Sequence, residues 1–545
     1  MKLPRRTVLS SIAGMMVLTL ILRYPTTPHE MGVDSFFIHN LATSISRDGA
    51  AEWILSPLSL FGWYPLSYPS GGPILIASFA ELSGQPIEGG ILLLSLLFGA
   101  LGVPMAFVMA REFRDDNLFC IAVAFTYAFA PRYLAFTLWS ASMRSLFMVL
   151  LPLFIWAVLR THRDPRLINF ALVATMFFIL SVTHRLAILM AIVLVAFLAA
   201  ILLQLVLKTL RLRFPRIVLA SPFRRATPYL TIGAFGGAAG SMIFGTDVLH
   251  QYSTGELFSG ATIQTELLNF GVSLARSVGL SLLFAFAGVL VITRSRNKTL
   301  REPFLLLAFI GLTPTLFLRV YTGFYILPFI AIFAGLAIVG IARLRRRRIR
   351  QVAIAAFFVT SLVFSTGVLR YEIDHTTSMP NTTYTTALYA SPCSQHETLV
   401  ANDGLMGIRV AAVSSCGYLP VGGAGTTFQS PELLAYGYFD AQEVWGNMSP
   451  VPLRELTLDS DSPWFVSSIQ AEADWVTIMQ SRFDATNPAL ARYTPTFYLE
   501  NRNFPGSFVA FGNQYPSTFA SSTYEGAYKI YEGDAEALWY VGTSR

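Results

Sequence analysis

Residues 324–350 read FYILPFIAIFAGLAIVGIARLRRRRIR. The first 19 of them carry no charge, and a helix of that length spans a hydrocarbon core about 30 Å thick. Six arginines follow within eight residues, which is the pattern that the positive-inside rule expects of a cytoplasmic loop. This stretch therefore predicts a transmembrane helix that ends on the cytoplasmic side of a membrane.

Apolar runs of similar length recur along the chain. Its 545 residues are 54% hydrophobic and only 13% charged. A soluble fold would not bury all of these apolar side chains. Eleven runs are long enough to span a membrane: 7–22, 89–110, 118–136, 145–160, 167–183, 186–207, 228–245, 277–293, 303–318, 324–342 and 352–369. No small-residue cleavage pattern closes the first run, so we expect it to be retained, with a cytoplasmic N-terminus. The sequence predicts a multi-pass α-helical protein of the cell membrane.

The charges divide the chain into two parts. Residues 1–370 carry 32 Lys and Arg against 14 Asp and Glu, a net charge of +18, and residues 371–545 carry 7 against 18, a net charge of −11. The basic residues lie between spans, on one side of the predicted topology, which argues against nucleic-acid binding. Eleven spans place the acidic part outside. We therefore expect a transmembrane domain, residues 1–370, and an extracytoplasmic domain, residues 371–545.

The acidic part is typical of a small α/β domain. TLVAND (398–403), DWVTIM (474–479) and AYKIYEG (527–533) favour strands among turn residues, and PELLAYG (431–437) favours a helix. The chain has three cysteines, of which Cys120 lies in an apolar run and Cys393 and Cys416 lie in the acidic part. An oxidising compartment would permit a disulfide between Cys393 and Cys416, and two free buried thiols are the alternative.

The first predicted outer loop, residues 24–88, is far longer than the usual connection of about 4 to 6 residues, and such loops often carry function. Its stretch DSFFIHNLATSI (34–45) has apolar residues at helical spacing, which predicts a helix at the membrane surface. Asp34 begins this helix, where an acid serves as an N-cap or as a functional group. His29 and His39 lie near Asp34. Each could contact a sugar or an acceptor, and the alternative is that each is a structural group.

Positive side chains are also predicted on the outer side, where the positive-inside rule does not place them. They lie near the outer ends of the spans: Arg132, Arg144, His184, Arg185 and Arg319. A guanidinium presents a forked set of donors that suits a phosphate held near the membrane surface. The alternative is that each side chain reaches separately to lipid headgroups.

Three stretches resemble the GT-C superfamily of membrane glycosyltransferases: GVDSFFIHNLA (32–42), SYPSGGP (67–73) and RVYTGFYILPFIAIFAG (319–335). The long first outer loop and the extracytoplasmic α/β domain extend this resemblance over nearly the whole chain. It implies a GT-C-like fold and an enzyme that uses a polyprenyl-phosphate-linked sugar as donor, with a glycan, lipid or protein as acceptor and membrane lipids around it.

The resemblance also implies a site. In this superfamily the acid after the first span is catalytic, which assigns that role to Asp34, with Glu30 as the second candidate. An arginine near the outer end of a late span typically holds the donor phosphate, which corresponds to Arg319. Other cations that could stabilise the departing phosphate are Arg185, Arg144 and His184. One carboxylate that takes the proton of the acceptor hydroxyl predicts sugar transfer with inversion.

The sequence departs from the oligosaccharyltransferases of the superfamily. PRYLAFTLWSASMR (131–144) contains no acidic pair, ATIQTELLNF (261–270) does not match their TIxE motif, and the C-terminal part lacks a WWDYG-like motif. Transfer of whole oligosaccharides to asparagine is therefore disfavoured. The sequence assigns no metal site, and the need for a divalent metal, Mg²⁺ or Mn²⁺, is left open. The outer acids that could bind such a metal are Glu30, Asp34, Asp247, Glu256 and Glu266.

Two other classes of protein stay open as alternatives. A multi-span transporter or lipid flippase would also place polar groups within a bundle, but such proteins usually contain internal repeats, and none is visible in this sequence. A non-catalytic envelope scaffold would only display the acidic domain. Binding of polyprenyl phosphate distinguishes the glycosyltransferase from the scaffold.

Overall fold

The computed structural model consists of a helical bundle followed by a small sheet. It describes residues 4–48, 69–213, 272, 274–294, 299–317, 323–376, 378–391, 393, 398–401, 403–418, 422–423, 495–502, 508–510, 513–515, 527–533 and 536–541. The helices of the first part are α1 (Arg5–Leu22), α2 (Val33–Asp48), α3 (Gly71–Ser83), α4 (Ile87–Phe113), α5 (Asn117–Ala128), α6 (Pro131–Phe136), α7 (Met143–Arg163), α8 (Leu167–Thr183), α9 (Ala191–Arg213), α10 (Ser281–Arg294), α11 (Arg301–Leu312), α12 (Gly323–Ala342) and α13 (Arg347–His375). Two 3₁₀ helices, Arg185–Met190 and Thr313–Phe317, lie next to α9 and α11.

Helix α12 is the centre of the bundle. Every residue from Gly323 to Val339 is buried. The helix packs against α5 and α10 and also contacts α7, α11 and α13. A helix that is hydrophobic all round is stable in this position because its neighbours cover every face.

Gly288 allows α10 to approach α12 closely. A Cβ at this position would overlap the backbone carbonyl of Phe333, which cannot move aside as a flexible side chain could. We therefore expect Gly288→Ala to lower the free energy of unfolding by about 1–3 kcal/mol, the usual cost of overpacking, and to lower the Tm of the protein in detergent. Gly340→Ala is the control, since its Cβ would be 3.7 Å from the nearest atom. Equal melting temperatures for the two variants would contradict this close approach.

The surface of the bundle is suited to lipid. Among the described residues, five helices are long and apolar enough to cross a membrane: α1, α4, α7, α12 and α13. Large apolar side chains are exposed both on these five helices and on others. Val352 on α13 is 68% exposed, and Leu167 on α8 is 84% exposed. Soluble proteins rarely expose apolar surface on this scale. The prediction of a multi-pass membrane protein is confirmed.

One predicted span is interrupted in the structure. The run 118–136 forms two helices, because α5 ends at Ala128 and α6 begins at Pro131. Ala130 is extended, with φ −61° and ψ 136°, and this is the conformation that a following proline favours. The predicted span 228–245 lies outside the described residues, so the number of eleven spans stays a prediction.

The C-terminal part contains a five-stranded sheet of order β2-β1-β4-β8-β7. Its strands are β1 (Thr398–Ala401), β2 (Gly417–Tyr418), β4 (Pro495–Asn501), β7 (Tyr528–Glu532) and β8 (Glu536–Tyr540), and a second sheet joins β3 (Gly422–Gly423), β5 (Phe508–Ala510) and β6 (Asn513–Tyr515). Strand β1 is parallel to β2 and β4, whereas β8 is antiparallel to β4 and β7. The strands expected from TLVAND and AYKIYEG are present, and DWVTIM and PELLAYG lie outside the described residues.

Two helices accompany this sheet, α14 (Asn381–Ala390) and α15 (Gly404–Ser414). Helix α14 packs against α15 and β8, so helices and strands form one α/β unit. A disulfide joins Cys393 to Cys416, with their Cα atoms 5.0 Å apart. Cys120 is a buried free thiol in the bundle.

Helix α2 connects the bundle with the C-terminal part. It packs against α3 and α4 of the bundle and against α15 of the C-terminal part. The apolar residues that predicted the helix, Phe37, Leu41 and Ile45, are all buried. A helix exists where the spacing predicted one, and protein side chains cover its apolar residues.

Candidate functional site

Helices α2 and α7 bring a carboxylate and a guanidinium together. Asp34 Oδ2 lies 3.3 Å from Arg144 Nη1, and the two side chains are 68% and 26% exposed. Asp34 is the second residue of α2, inside its first turn, rather than the capping residue that precedes it. An ion pair this exposed contributes about 0–1 kcal/mol, so a ligand can replace either partner at little cost.

A second arginine lies beside this pair. The guanidinium carbons of Arg132 and Arg144 are both 5.2 Å from the centre of the Phe136 ring. An arginine side chain stays protonated even where it is largely buried, and the charges of Glu372, Arg276 and Arg144 lie near enough to act on Arg132. Arg132 therefore keeps its charge at neutral pH.

Arg132 forms no salt bridge in the part of the chain that the structure describes. Its Nε is buried without a hydrogen-bond partner there, although Glu372 is near enough to act through its charge. A buried donor nitrogen without an acceptor is unfavourable, and an anion that arrives from outside would supply the acceptor. The site is therefore suited to a phosphate group.

Arg23 holds the far end of α6 in place. It is 1% exposed, and its Nε donates to Thr137 Oγ1 at 2.7 Å while its Nη1 donates to the Thr19 carbonyl at 3.0 Å. Gly99 on α4 makes room for it, because a Cβ there would overlap the guanidinium. This anchor fixes α6 against α1 and α4, and α6 carries both Arg132 and the Phe136 ring that lies near the two guanidinium groups.

Arg276 was not predicted as a site residue. It forms an ion pair of 2.7 Å with Glu372 on α13, and its guanidinium carbon is 5.0 Å from the centre of the Tyr371 ring. It acts on Arg132 through its charge. The signal was a lone arginine just before the apolar run 277–293, the same kind of position that drew attention to Arg132.

The second candidate acid, Glu30, is buried and contacts two side chains of α2. Glu30 is 1% exposed, its Oε1 lies 2.7 Å from His39 Nδ1, and its Oε2 accepts from the Ser35 hydroxyl at 3.0 Å. His39 is itself 3% exposed. Protein groups therefore occupy both oxygens of Glu30 and one ring nitrogen of His39.

His29 belongs to a neighbouring cluster that the sequence did not predict. Its Nδ1 lies 3.0 Å from Glu88 Oε1 at the start of α4, and its ring stacks on Tyr384 of α14 with 3.9 Å between ring centres. Burial, together with the charge of Glu88, raises the pKa of Tyr384. Trp139 Nε1 donates to the Glu88 carbonyl at 3.3 Å, so this cluster joins α4, α14 and the segment before α7.

The remaining predicted phosphate ligands are only partly described. His184 follows α8, and its Nδ1 lies 3.4 Å from the hydroxyl of Tyr325 on α12. Arg185 is the first residue of the 3₁₀ helix Arg185–Met190. Arg319 lies outside the described residues, so its role stays a prediction.

The described residues do not form a metal site. They contain no group of three or more His, Cys, Asp or Glu side chains that could hold a metal ion. Asp34 is paired with a cation, and Glu30 is enclosed by Ser35 and His39. The other acids considered as ligands, Asp247, Glu256 and Glu266, lie outside the described residues.

No protein-family model and no curated protein sequence matches the chain. Solved structures do match it. The oligosaccharyltransferase of Archaeoglobus fulgidus, tethered to an acceptor peptide with an NVT sequon, has 11% identity and a TM-score of 0.54, over 92% of this chain and 69% of that chain. The same enzyme, AglB, with an inhibitory peptide and a dolichol-phosphate has 12% identity and a TM-score of 0.50, over 91% and 69%.

A second protein matches over almost its whole length. ArnT from Cupriavidus metallidurans in the apo state has 11% identity and a TM-score of 0.51, over 98% of both chains. Identities this low establish similarity of fold. The chain shares its fold with this oligosaccharyltransferase and with ArnT.

Proposed function

We propose that this protein is a membrane glycosyltransferase that moves a sugar from a polyprenyl-phosphate-linked donor to an acceptor hydroxyl. The observation that carries the proposal is the exposed Asp34 carboxylate, 3.3 Å from Arg144 and beside a second, mostly buried arginine, within a GT-C fold. A base for the acceptor and cations for a phosphate are the two groups that this chemistry requires.

Asp34 is the general base. It takes the proton of the acceptor hydroxyl as the hydroxyl oxygen forms a bond to the anomeric carbon of the sugar. The bond from that carbon to the donor phosphate breaks, and its electron pair leaves with the phosphate. Because a single carboxylate acts and no covalent sugar–enzyme bond forms, the anomeric carbon is inverted.

Arg144 and Arg132 hold the departing phosphate. The two guanidinium groups near the Phe136 ring repel each other through their charges, and a phosphate that binds both would offset that repulsion. Arg319, Arg185 and His184 are the further candidates for this role. The donor phosphate binds where its charge grows during the reaction, so these cations stabilise the transition state more than the ground state.

The proposed topology places this site at the outer face of the cell membrane. The N-terminus is cytoplasmic and residues 371–545 are extracytoplasmic, which follows from the basic loops and the acidic C-terminal part. The donor lipid then presents its sugar at the surface where Asp34 is exposed. A glycan, a lipid or a protein of the envelope supplies the acceptor hydroxyl.

Two measurements test this function. Mass spectrometry of surface glycans from cells with and without the gene is expected to reveal loss of one sugar. The purified full-length protein is expected to bind undecaprenyl phosphate or dolichyl phosphate in detergent. Unchanged glycans together with no binding of either lipid would refute the proposal.

A further inference from the structure

Glu30 lies four residues before Asp34, yet it does not share its exposure. Its side chain is 1% exposed, against 68% for Asp34. Both carboxylate oxygens contact the first two turns of α2, one at Ser35 and one at His39. A buried carboxylate is stable only when its oxygens are engaged in this way. Neither oxygen is available to an acceptor.

Ser35 connects Glu30 to the segment that carries Arg144. The Ser35 hydroxyl donates to Glu30 Oε2 at 3.0 Å and accepts from the backbone N–H of Ala141 at 2.6 Å. Ser35 is next to Asp34 in the sequence, and Ala141 precedes Arg144 by three residues. One chain of hydrogen bonds therefore joins the two segments whose side chains form the exposed ion pair.

The backbone around Glu30 is held as well. The N–H of Met31 donates to the Trp139 carbonyl at 3.0 Å, and the N–H of Glu30 donates to Glu88 Oε1 at 3.3 Å. The N–H of Met379, just before α14, donates to the Glu30 carbonyl at 3.3 Å. The segment before α2 is thus tied to α4, to the segment before α7 and to the C-terminal part.

We propose that Glu30 is a positioning residue, which acts through Ser35 to hold Asp34 and Arg144 in the arrangement that sugar transfer requires. This inference rests on the proposed role of Asp34 as base. An exposed ion pair is too weak to set its own geometry, whereas a buried and fully engaged carboxylate is rigid. In this role Glu30 is no longer the second candidate base; it supports Asp34, the first candidate.

Kinetics of the full-length protein in detergent test the proposal. Ser35→Ala is expected to lower kcat about tenfold and Glu30→Ala about hundredfold, with the KM for the polyprenyl-linked donor within about twofold, because a displacement of about 1 Å can cost that much. Glu30→Gln should retain at least about a tenth of the parental kcat, since the amide keeps the size of the side chain and an acceptor for His39. Ser44→Ala is the matched control, because Ser44 carries a buried hydroxyl on the same helix, and among the described residues this hydroxyl bonds only to the Leu41 carbonyl.

A second readout does not depend on turnover. Asp34 can be coupled to an amine with a carbodiimide, and mass spectrometry measures the rate of labelling. In Ser35→Ala and Glu30→Ala, Asp34 is expected to react about threefold faster or more, because it is no longer held against Arg144. Ser44→Ala should label at the parental rate.

The outcomes separate this proposal from the proposed function. If Glu30→Gln stops transfer as completely as Asp34→Asn, Glu30 is the base and the positioning role is wrong. If Ser35→Ala and Glu30→Ala match the parent in kcat and in labelling, Glu30 positions nothing. If the parent transfers no sugar at all, the proposed function fails, and unchanged labelling of Asp34 in the two variants would then overturn the positioning role independently.

Discussion

Asp34→Asn is expected to lower the rate of sugar transfer by about 10³-fold, within the range that a positioned general base contributes. Asparagine has almost the size of aspartate but does not take a proton from a hydroxyl at neutral pH. The protein should keep its Tm, because the side chain is 68% exposed and its pair with Arg144 is worth about 0–1 kcal/mol. A large loss of rate with no loss of stability is the signature of a chemical role.

Asp374→Asn is the matched control for this variant. Asp374 is 47% exposed and forms an ion pair of 3.0 Å with Arg370 one turn away on α13, so the substitution also removes an exposed Asp–Arg pair. Transfer of a radiolabelled sugar from the polyprenyl-linked donor, with the Tm of each variant, measures both effects. If Asp34→Asn transferred sugar within about tenfold of the parent, Asp34 would not be the base.

Arg132→Met is expected to act in opposite directions on activity and on stability. Loss of one cation that stabilises a developing charge typically costs about 10²–10³-fold, so kcat/KM for the lipid donor should fall by about 100-fold and binding of polyprenyl phosphate should weaken. Methionine also removes a mostly buried charge that forms no ion pair in the described structure, so the Tm should stay the same or rise. Few structural arginines would behave in this way.

Arg276→Met provides the comparison. Arg276 is paired with Glu372, whose side chain is only 20% exposed, so its loss leaves a carboxylate without its partner and should lower the Tm. Isothermal titration with undecaprenyl phosphate and thermal unfolding in detergent distinguish the two variants. Unchanged lipid binding in Arg132→Met, or a Tm that falls as far as in Arg276→Met, would contradict the phosphate role of Arg132.

The helices of the bundle could be predicted because their cause is local. Composition and the length of an apolar run decide whether a segment enters a membrane, and these are visible in residues 324–342 without any knowledge of neighbours. Pro131 carried a local signal too, since a proline restrains the residue before it, but its apolar surroundings outweighed it in the prediction of the span 118–136. The structure separates α5 from α6 at that point.

The site could be predicted only in part. The position of Asp34 after the first span and the resemblance to the GT-C superfamily drew attention to it, and the arginines were noticed because they contradict the charge rule. No local sequence pattern indicated that Glu30 is buried and Asp34 is exposed, because burial depends on which distant segments pack against a residue. Ser35 and Glu88 had no local signal of comparable strength, since hydrogen bonds to distant segments leave no pattern in a sequence.

The sequence by itself determined that this protein lies in a membrane and that α2 forms after the first span, because hydropathy and helical spacing are properties of neighbouring residues. Only the tertiary structure decided that Asp34 meets Arg144, 110 residues along the chain, and that Glu30 is buried while Asp34 is exposed. Contacts of Glu30 with α2, α4 and the residue Met379 make that difference, since they enclose Glu30 and leave Asp34 at the surface.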